Sequence, residues 1–513
     1  MTLALTCKSF SGPALDLLWR DLRGVEPLIK CLPQSLWKQD KKKLEFQRTM
    51  TLDDWAIFCK YNYRVRSLVH QCHESYMHTE MICSTEIWRA LSCPPFSLPL
   101  LPNLTSLTWT EASNETFPHI QLFATPQLTK LTISVSTYGP SFTFGPSEES
   151  ILSSIAKSCP SVSQFDFAQE KDDSMESVGA MLQFWSHLTS VKTGTISEAA
   201  ILHLSNLPSL RVLKCGLPST SISTRAQELL QHDVFCALQD LHITCKSLAN
   251  LEAFLEKLTI APKVLSFLIT PSRGGVDFVR TLPDLISRLS NACTHSSLQE
   301  VRLSIRVNRS ADPEASIGAL AFQPLFAFRN LRVLDFRADN CCIVRIDDAS
   351  LLQMAKAWPH LEELYISRYS HSSYRVTLHA FVLLLWHCPR LRSVAVLIDW
   401  STIDVHTIPP DIPYQGFSQK ALTKLFINGW RIENPTSIAA FISAIAPNVR
   451  SIDGWDTDYH GYDSDGIDNS WTVVQSLIAT LPMVREQGKR MILNRLARGS
   501  HNYHVIAQRG GRS

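Results

Sequence analysis

One hexameric pattern, h-x-x-h-x-h with h an apolar residue, recurs thirteen times along this chain. It reads LTSLTW from Leu104, LTKLTI from Leu128, VSQFDF from Val162, LTSVKT from Leu188 and LRVLKC from Leu210. It continues as LQDLHI from Leu238, VLSFLI from Val264, LQEVRL from Leu298, LRVLDF from Leu331 and LEELYI from Leu361. LRSVAV from Leu391, LTKLFI from Leu422 and a weaker VRSIDG from Val449 complete the series, and VRSLVH from Val65 is a candidate earlier unit. Successive copies begin 22 to 34 residues apart. A single hexamer of this kind carries no information, because leucine is common. A dozen at comparable steps constrain the fold to units that bury their apolar faces on one another.

The segments between hexamers carry a different period. Ile438, Phe441, Ile442 and Ile445 stand at i, i+3, i+4 and i+7, as do Val178, Met181, Leu182 and Trp185. That spacing lays one apolar stripe along an α-helix. Asp347 or Asp348, ahead of ASLLQMAKAW, is placed to cap a helix by accepting from a free amide. Pro160, Pro208, Pro359, Pro389 and Pro447 each lie two residues before a hexamer. A proline there excludes helical geometry for its predecessor and turns the chain toward the strand. The expected fold is therefore an α/β solenoid of helix, proline turn and short strand, with parallel strands on a concave face and helices outside. The alternative, a non-repeating α/β domain, does not explain why one hexamer keeps returning.

These residues resemble the leucine-rich-repeat fold in its long, helix-bearing form. The match departs from the usual motif because no Asn or Cys recurs three places after the strand. The side-chain ladder normally built there is expected to be missing or substituted. The opening LALTCKSFSGPALDLLWRDL resembles the second half of an F-box, with Leu5, Cys7, Phe10, Leu17, Leu18 and Trp19 at matching positions. EPLIKCLPQSLW and DDWAIFCKYNYRVRSL then look like the connection in F-box/leucine-rich-repeat proteins of mushroom-forming fungi. The first F-box helix is absent, so Met1 is expected to fall inside the motif.

That resemblance implies a division into residues 1–23 as partial F-box helices, 24–60 as a helical linker, 61–483 as the solenoid and 484–513 as a basic cap and tail. It also implies a substrate-recognition subunit of a cullin-type ubiquitin ligase. Leu3, Leu5, Phe10, Leu17, Leu18 and Trp19 would meet a Skp-type adaptor, and the repeats would hold a protein substrate. The alternative is a repeat scaffold that binds a protein partner without ligase coupling.

Composition narrows the function classes. Lys and Arg total 49 against 47 for Asp and Glu, so no global basic excess points to nucleic acid. The longest wholly apolar run, Ala380 to Trp386, is far too short for the roughly 20 residues of a membrane span. No basic segment followed by an apolar one opens the chain, so the expected location is cytoplasmic or nuclear, with no membrane partner. The 14 cysteines show no C-x-x-C pair and read as reduced, buried thiols.

No enzyme, metal site or cofactor is expected. Gly-rich phosphate loops, G-x-S-x-G and H-E-x-x-H are all missing. HQCH, from His70 to His73, has ligand atoms but no second cluster at finger spacing. The run from Asp456 is an acidic loop that lacks the spacing of a calcium loop. The informative positions flank the central h of each hexamer, since side chains alternate along a strand. They include Asp240, His242, Glu300, Arg302, Asp335, Glu363, Tyr365 and Phe426, with Trp400 and Trp430 just beyond their strands. Glu300, Arg302, Glu363, Tyr365, Trp400, Phe426 and Trp430 form the candidate partner-binding set, because exposed aromatics anchor protein interfaces.

Overall fold

The computed structural model describes residues 8–41, 43–71, 82–112, 114–135, 145–168, 176–220, 222–231, 234–271, 276–306, 316–339, 343–366, 376–401, 417–427, 432–454 and 469–509. The chain divides into two compact units, residues 1–262 and 263–513.

In the first unit, helix α1 (Lys8–Arg20) runs directly into strand β1 (Asp21–Arg23). Then follow α2 (Glu26–Lys30), β2 (Trp37–Asp40), β3 (Lys43–Phe46), α3 (Leu52–Asn62), β4 (Ser67–Gln71), β5 (Ile82–Cys83) and α4 (Thr85–Leu91). The regular part contains β6 (Ser106–Ala112), β7 (Lys130–Val135), α5 (Pro146–Ser158), β8 (Gln164–Ala168), α6 (Glu176–Leu182), β9 (Ser190–Thr195), α7 (Glu198–Ser205), β10 (Val212–Gly216), α8 (Thr224–Leu229), β11 (Asp240–Cys245) and α9 (Leu248–Leu255). Strands β1, β4 and β6 to β11 lie side by side in that order as a parallel sheet.

The second unit holds β12 (Val264–Ile269), α10 (Val276–Ala292), β13 (Glu300–Arg306), β14 (Ser316–Gly318), β15 (Val333–Asp339), β16 (Ile343–Arg345), α11 (Asp348–Ala357) and β17 (Glu363–Ile366). It ends with α12 (Leu378–His387), β18 (Ser393–Ala395), β19 (Lys424–Ile427), α13 (Pro435–Ile445), β20 (Ser451–Gly454) and the long α14 (Asn469–Arg509). Strands β12, β13, β15, β17, β18, β19 and β20 form its parallel sheet. Each unit is thus the α/β solenoid that the hexamers predict.

Alternation along the strands sets the two faces of each sheet. In β13, Val301, Leu303 and Ile305 are buried while Glu300, Arg302 and Ser304 are half-buried on the opposite, open face. The proline turns act as expected: Trp358, Cys388 and Ala446 each close a helix by donating to the carbonyl four residues back, just before Pro359, Pro389 and Pro447. Asp347 caps α11 by accepting from Ser350 N at 2.8 Å. Tryptophans join successive repeats within each unit: Trp185 Nε1 donates to Cys159 O at 2.9 Å, and Trp358 Nε1 to Leu325 O at 3.1 Å.

Where leucine-rich repeats usually carry a side-chain ladder after the strand, this chain has one before it. In hexamer after hexamer the first residue after the leading h offers its carbonyl to two successive amides of the next, and at VLSFLI it is Lys263, ahead of Val264, that does so for Gln299 and Glu300. Thr105 O accepts from Thr129 N and Lys130 N, Thr129 O from Ser163 N and Gln164 N, and Arg332 O from Glu362 N and Glu363 N. In the first unit a hydroxyl joins them. Thr105 Oγ1 donates to Arg66 O, Thr129 Oγ1 to Thr105 O, Ser163 Oγ to Thr129 O and Thr189 Oγ1 to Ser163 O, at 3.0 to 3.3 Å.

Four expectations differ from the structure. Residues 24–60 are not a helical linker, because β2 and β3 pair as an antiparallel hairpin between α2 and α3. Lys38 and Lys43 both reach Glu45 across that hairpin. The main sheet starts at Asp21, since β1 pairs in parallel with β4. VLSFLI is also out of phase: Val264 aligns with Glu300 on the open face, and Leu265, Phe267 and Ile269 turn inward. Period two makes both phases share Phe267 and Ile269, which is why the hexamer alone misplaces Val264. Finally, α14 runs continuously across the boundary expected at residue 483.

Candidate protein-interaction sites

Helix α1 is pinned on one side and open on the other. The Trp19 ring is buried and lies 4.7 Å from the Tyr61 ring on α3. Arg64, just past α3, pairs with Asp16 and donates to Gly12 O at 3.3 Å. Arg66 N donates to Arg20 O at 2.8 Å, which locks the end of the helix to β4. Phe10, Leu17 and Leu18 stay 58%, 71% and 47% exposed. Phe10 and Leu17, seven residues apart, share a helix face on which exposed Pro13 also lies. Of the expected adaptor residues, Phe10, Leu17 and Leu18 form this patch, and Trp19 is used internally. Leu3 and Leu5 lie outside the described residues.

The second site is the open face of the second unit's sheet. One register row runs Ser266, Arg302, Asp335, Tyr365, Ala395, Phe426 and Asp453 on adjacent strands. Asp335 is buried between cations: Arg337 Nε donates to its carboxylate at 2.8 Å, and Arg302 stands 3.9 Å away while donating to Glu300 at 2.9 Å. Beside this charge cluster, Tyr365 and Phe426 meet with ring centroids 5.2 Å apart. Tyr365 Oη and Ser393 Oγ share a hydrogen bond of 2.7 Å, and Arg337 sits 5.8 Å from the Tyr365 ring. Burial raises the Tyr365 hydroxyl pKa above its ordinary value, so it stays protonated. The result is a half-buried aromatic platform edged by internally compensated charges. It suits a polypeptide surface.

Glu300, Arg302, Tyr365 and Phe426 gather in this patch, with Glu363 half-buried on the neighbouring register row. Trp400 does not join them. It is buried between Phe381 and Trp471, at 6.2 and 5.8 Å, because the chain past β18 folds back over α12. Trp430 lies outside the described residues. Sequence reasoning missed Arg337 and Ser393, which occupy outward slots that the hexamer counting does not reach or ranks as small.

His70 of the HQCH run points inward from β4. It packs 5.0 Å from Trp88 and 4.5 Å from Trp109, and its Nδ1 has no hydrogen-bond partner among the described residues. Burial, helped by nearby His119, lowers its pKa to about 4. Among the described residues no group of three or more potential ligands is placed to hold a metal. Cysteines 215, 245, 293 and 388 are buried thiols whose pKa burial pushes up to about 12.

No family model and no curated protein matches the chain. Among solved structures it is similar to the crystal structure of the Rad7 and Elc1 complex in yeast, at 15% identity and a TM-score of 0.33. That alignment covers 69% of this chain and 83% of the other. Neither residue roles nor partners transfer at that distance.

Proposed function

We propose that this chain is a non-catalytic receptor that couples a protein substrate, held on the open face of its repeats, to a cullin-type ubiquitin ligase through a Skp-type adaptor. The observation that carries the reading is the contrast across α1. Trp19, Asp16 and Gly12 hold the helix in place, while Phe10, Leu17 and Leu18 are turned outward. A rigidly mounted helix with three exposed apolar side chains suits docking, since little further ordering is lost on binding. The Tyr365–Phe426 platform supplies a substrate surface of the aromatic kind that anchors interfaces. It acts in the cytoplasm or nucleus and binds without turnover.

A second reading, a scaffold without ligase coupling, is favoured by Trp19. An aromatic expected at the adaptor contact is already spent on Tyr61. Co-purification with a Skp-type adaptor separates the two. The chain should retain the adaptor, and F10S/L17S/L18S should lose it without a change in melting temperature. If neither version retains it, the scaffold reading stands.

A further inference from the structure

The helix-to-strand corners of the second unit gather positive charge around an exposed aromatic pair. Trp386, in the last turn of α12, is 60% exposed, although tryptophan is highly buried on average. Its ring lies against that of Phe417, with centroids 5.0 Å apart. Both stand five residues before the leading h of their hexamers, so the contact joins equivalent positions of adjacent repeats. Lys356 holds the same position one repeat earlier. Arg390 follows Trp386 by four residues, Lys420 follows Phe417 by three, and all three cations are exposed.

The charge here is unopposed. Residues 319–332, 349–361, 378–392, 417–424 and 435–450, which build these corners, contain eight Lys and Arg and no Asp or Glu. Over the whole chain the two signs nearly balance, at 49 to 47. On the open face, Arg302 and Arg337 are matched by Glu300 and Asp335. Lys356, Arg390 and Lys420 make no ion pair among the described residues. The helix macrodipole favours a cation in a last turn and accounts for Lys356, but not for a bare tryptophan beside it.

We propose that this corner, centred on Trp386 and Phe417 and ringed by Lys356, Arg390 and Lys420, docks an acidic polypeptide segment with an apolar side chain between its carboxylates. The cations select the sign of the partner, and the ring pair selects its kind. A nucleic acid strand stacks successive bases on separate rings, whereas these two pack on each other and offer one apolar spot. Glu362, held by Arg332 and 4.0 Å from Arg392, also interrupts the column that a phosphate chain would follow. A second copy meeting this edge with its own would set cations against cations. An aromatic centre inside a charged rim is how protein interfaces concentrate their binding energy. The site uses none of the Tyr365–Phe426 platform and does not depend on ligase coupling.

The test is fluorescence anisotropy of a labelled peptide, a leucine pair flanked by runs of glutamate, titrated with the full chain. Binding should saturate, weaken with salt and vanish when glutamine replaces the glutamates. Trp386→Ala should weaken it at least about 30-fold, as loss of a hot-spot side chain does. R390Q/K420Q should weaken it about tenfold and flatten its salt dependence. Neither variant should lower the melting temperature appreciably, since the altered side chains are exposed. Y365A/F426A should bind the peptide as the parent does, which keeps this site distinct from the substrate platform. No binding at low ionic strength would overturn the proposal, as would affinity undiminished in Trp386→Ala or in R390Q/K420Q. Tighter binding of a single-stranded RNA of equal length would overturn it in favour of nucleic acid.

Discussion

Tyr365 and Phe426 touch across an intervening strand, their ring centroids 5.2 Å apart, because the residue between them in register is Ala395. Ala395 is itself fully buried on what would otherwise be the open face. A larger side chain at that position must part the rings. Ala395→Leu should therefore cost about 1 to 3 kcal/mol by overpacking, read as a lower urea midpoint at constant slope. Y365A/F426A should instead leave global stability nearly intact and weaken the protein partner, a split that a purely structural pair would not give.

The two faces of α1 should respond differently to mutation. Trp19→Ala removes a buried ring from Tyr61 and is expected to cost about 3 kcal/mol, freeing the helix to early proteolysis. Leu17→Ser changes an exposed side chain and should stay within about 0.5 kcal/mol of the parent in thermal melts. Equal losses would mean that Leu17 is packed.

His70 makes the first unit acid-sensitive in a defined window. Its folded pKa is about 4 against 6.5 unperturbed, so below pH 6.5 the unfolded chain takes up a proton that the folded chain refuses. Stability falls from there down to about pH 4, by up to about 3 kcal/mol. Asp54 acts lower: its pKa of about 2, set by Arg48, puts its loss below pH 3.8. His70→Phe should flatten the upper window and leave the lower one, as measured by denaturation midpoints across pH.

The hydroxyl ladder invites a rung-by-rung test. Thr129→Val and Thr189→Val should each cost about 0.5 to 1 kcal/mol, the net worth of one partly exposed hydrogen bond. Because Ser163 separates them, the double variant should come close to the sum. Hydrogen exchange should quicken at the amides of the adjacent turns and not at distant strands.

Period-two alternation and helical spacing were enough to read the strands at Leu104, Leu298 or Leu361, because burial on one face dictates both. VLSFLI was legible as a strand but not in phase, since an apolar residue at 264 is tolerated on the open face. Of the binding surface, Tyr365 and Phe426 could be placed from their slots, whereas their contact depends on Ala395, a position that looks uninformative in one dimension. Trp400 shows the opposite error: a large aromatic just past a strand reads as surface until the return of the chain buries it. The threonines at 105, 129 and 189 carried a signal, a hydroxyl in the same slot of successive hexamers, that becomes meaningful only when the preceding carbonyl is seen beside it.

Turn after turn before a strand sets two amides on one carbonyl of the turn before it. A chain assembled by such local agreement has no internal ruler. The distance travelled between two hexamers is free to vary so long as the chain returns to offer two amides to the waiting oxygen. That freedom accounts for steps as unequal as 22 and 34 residues within one architecture. It also means that new length enters this protein most easily between strands, where it alters what the surface presents without asking any other unit to move.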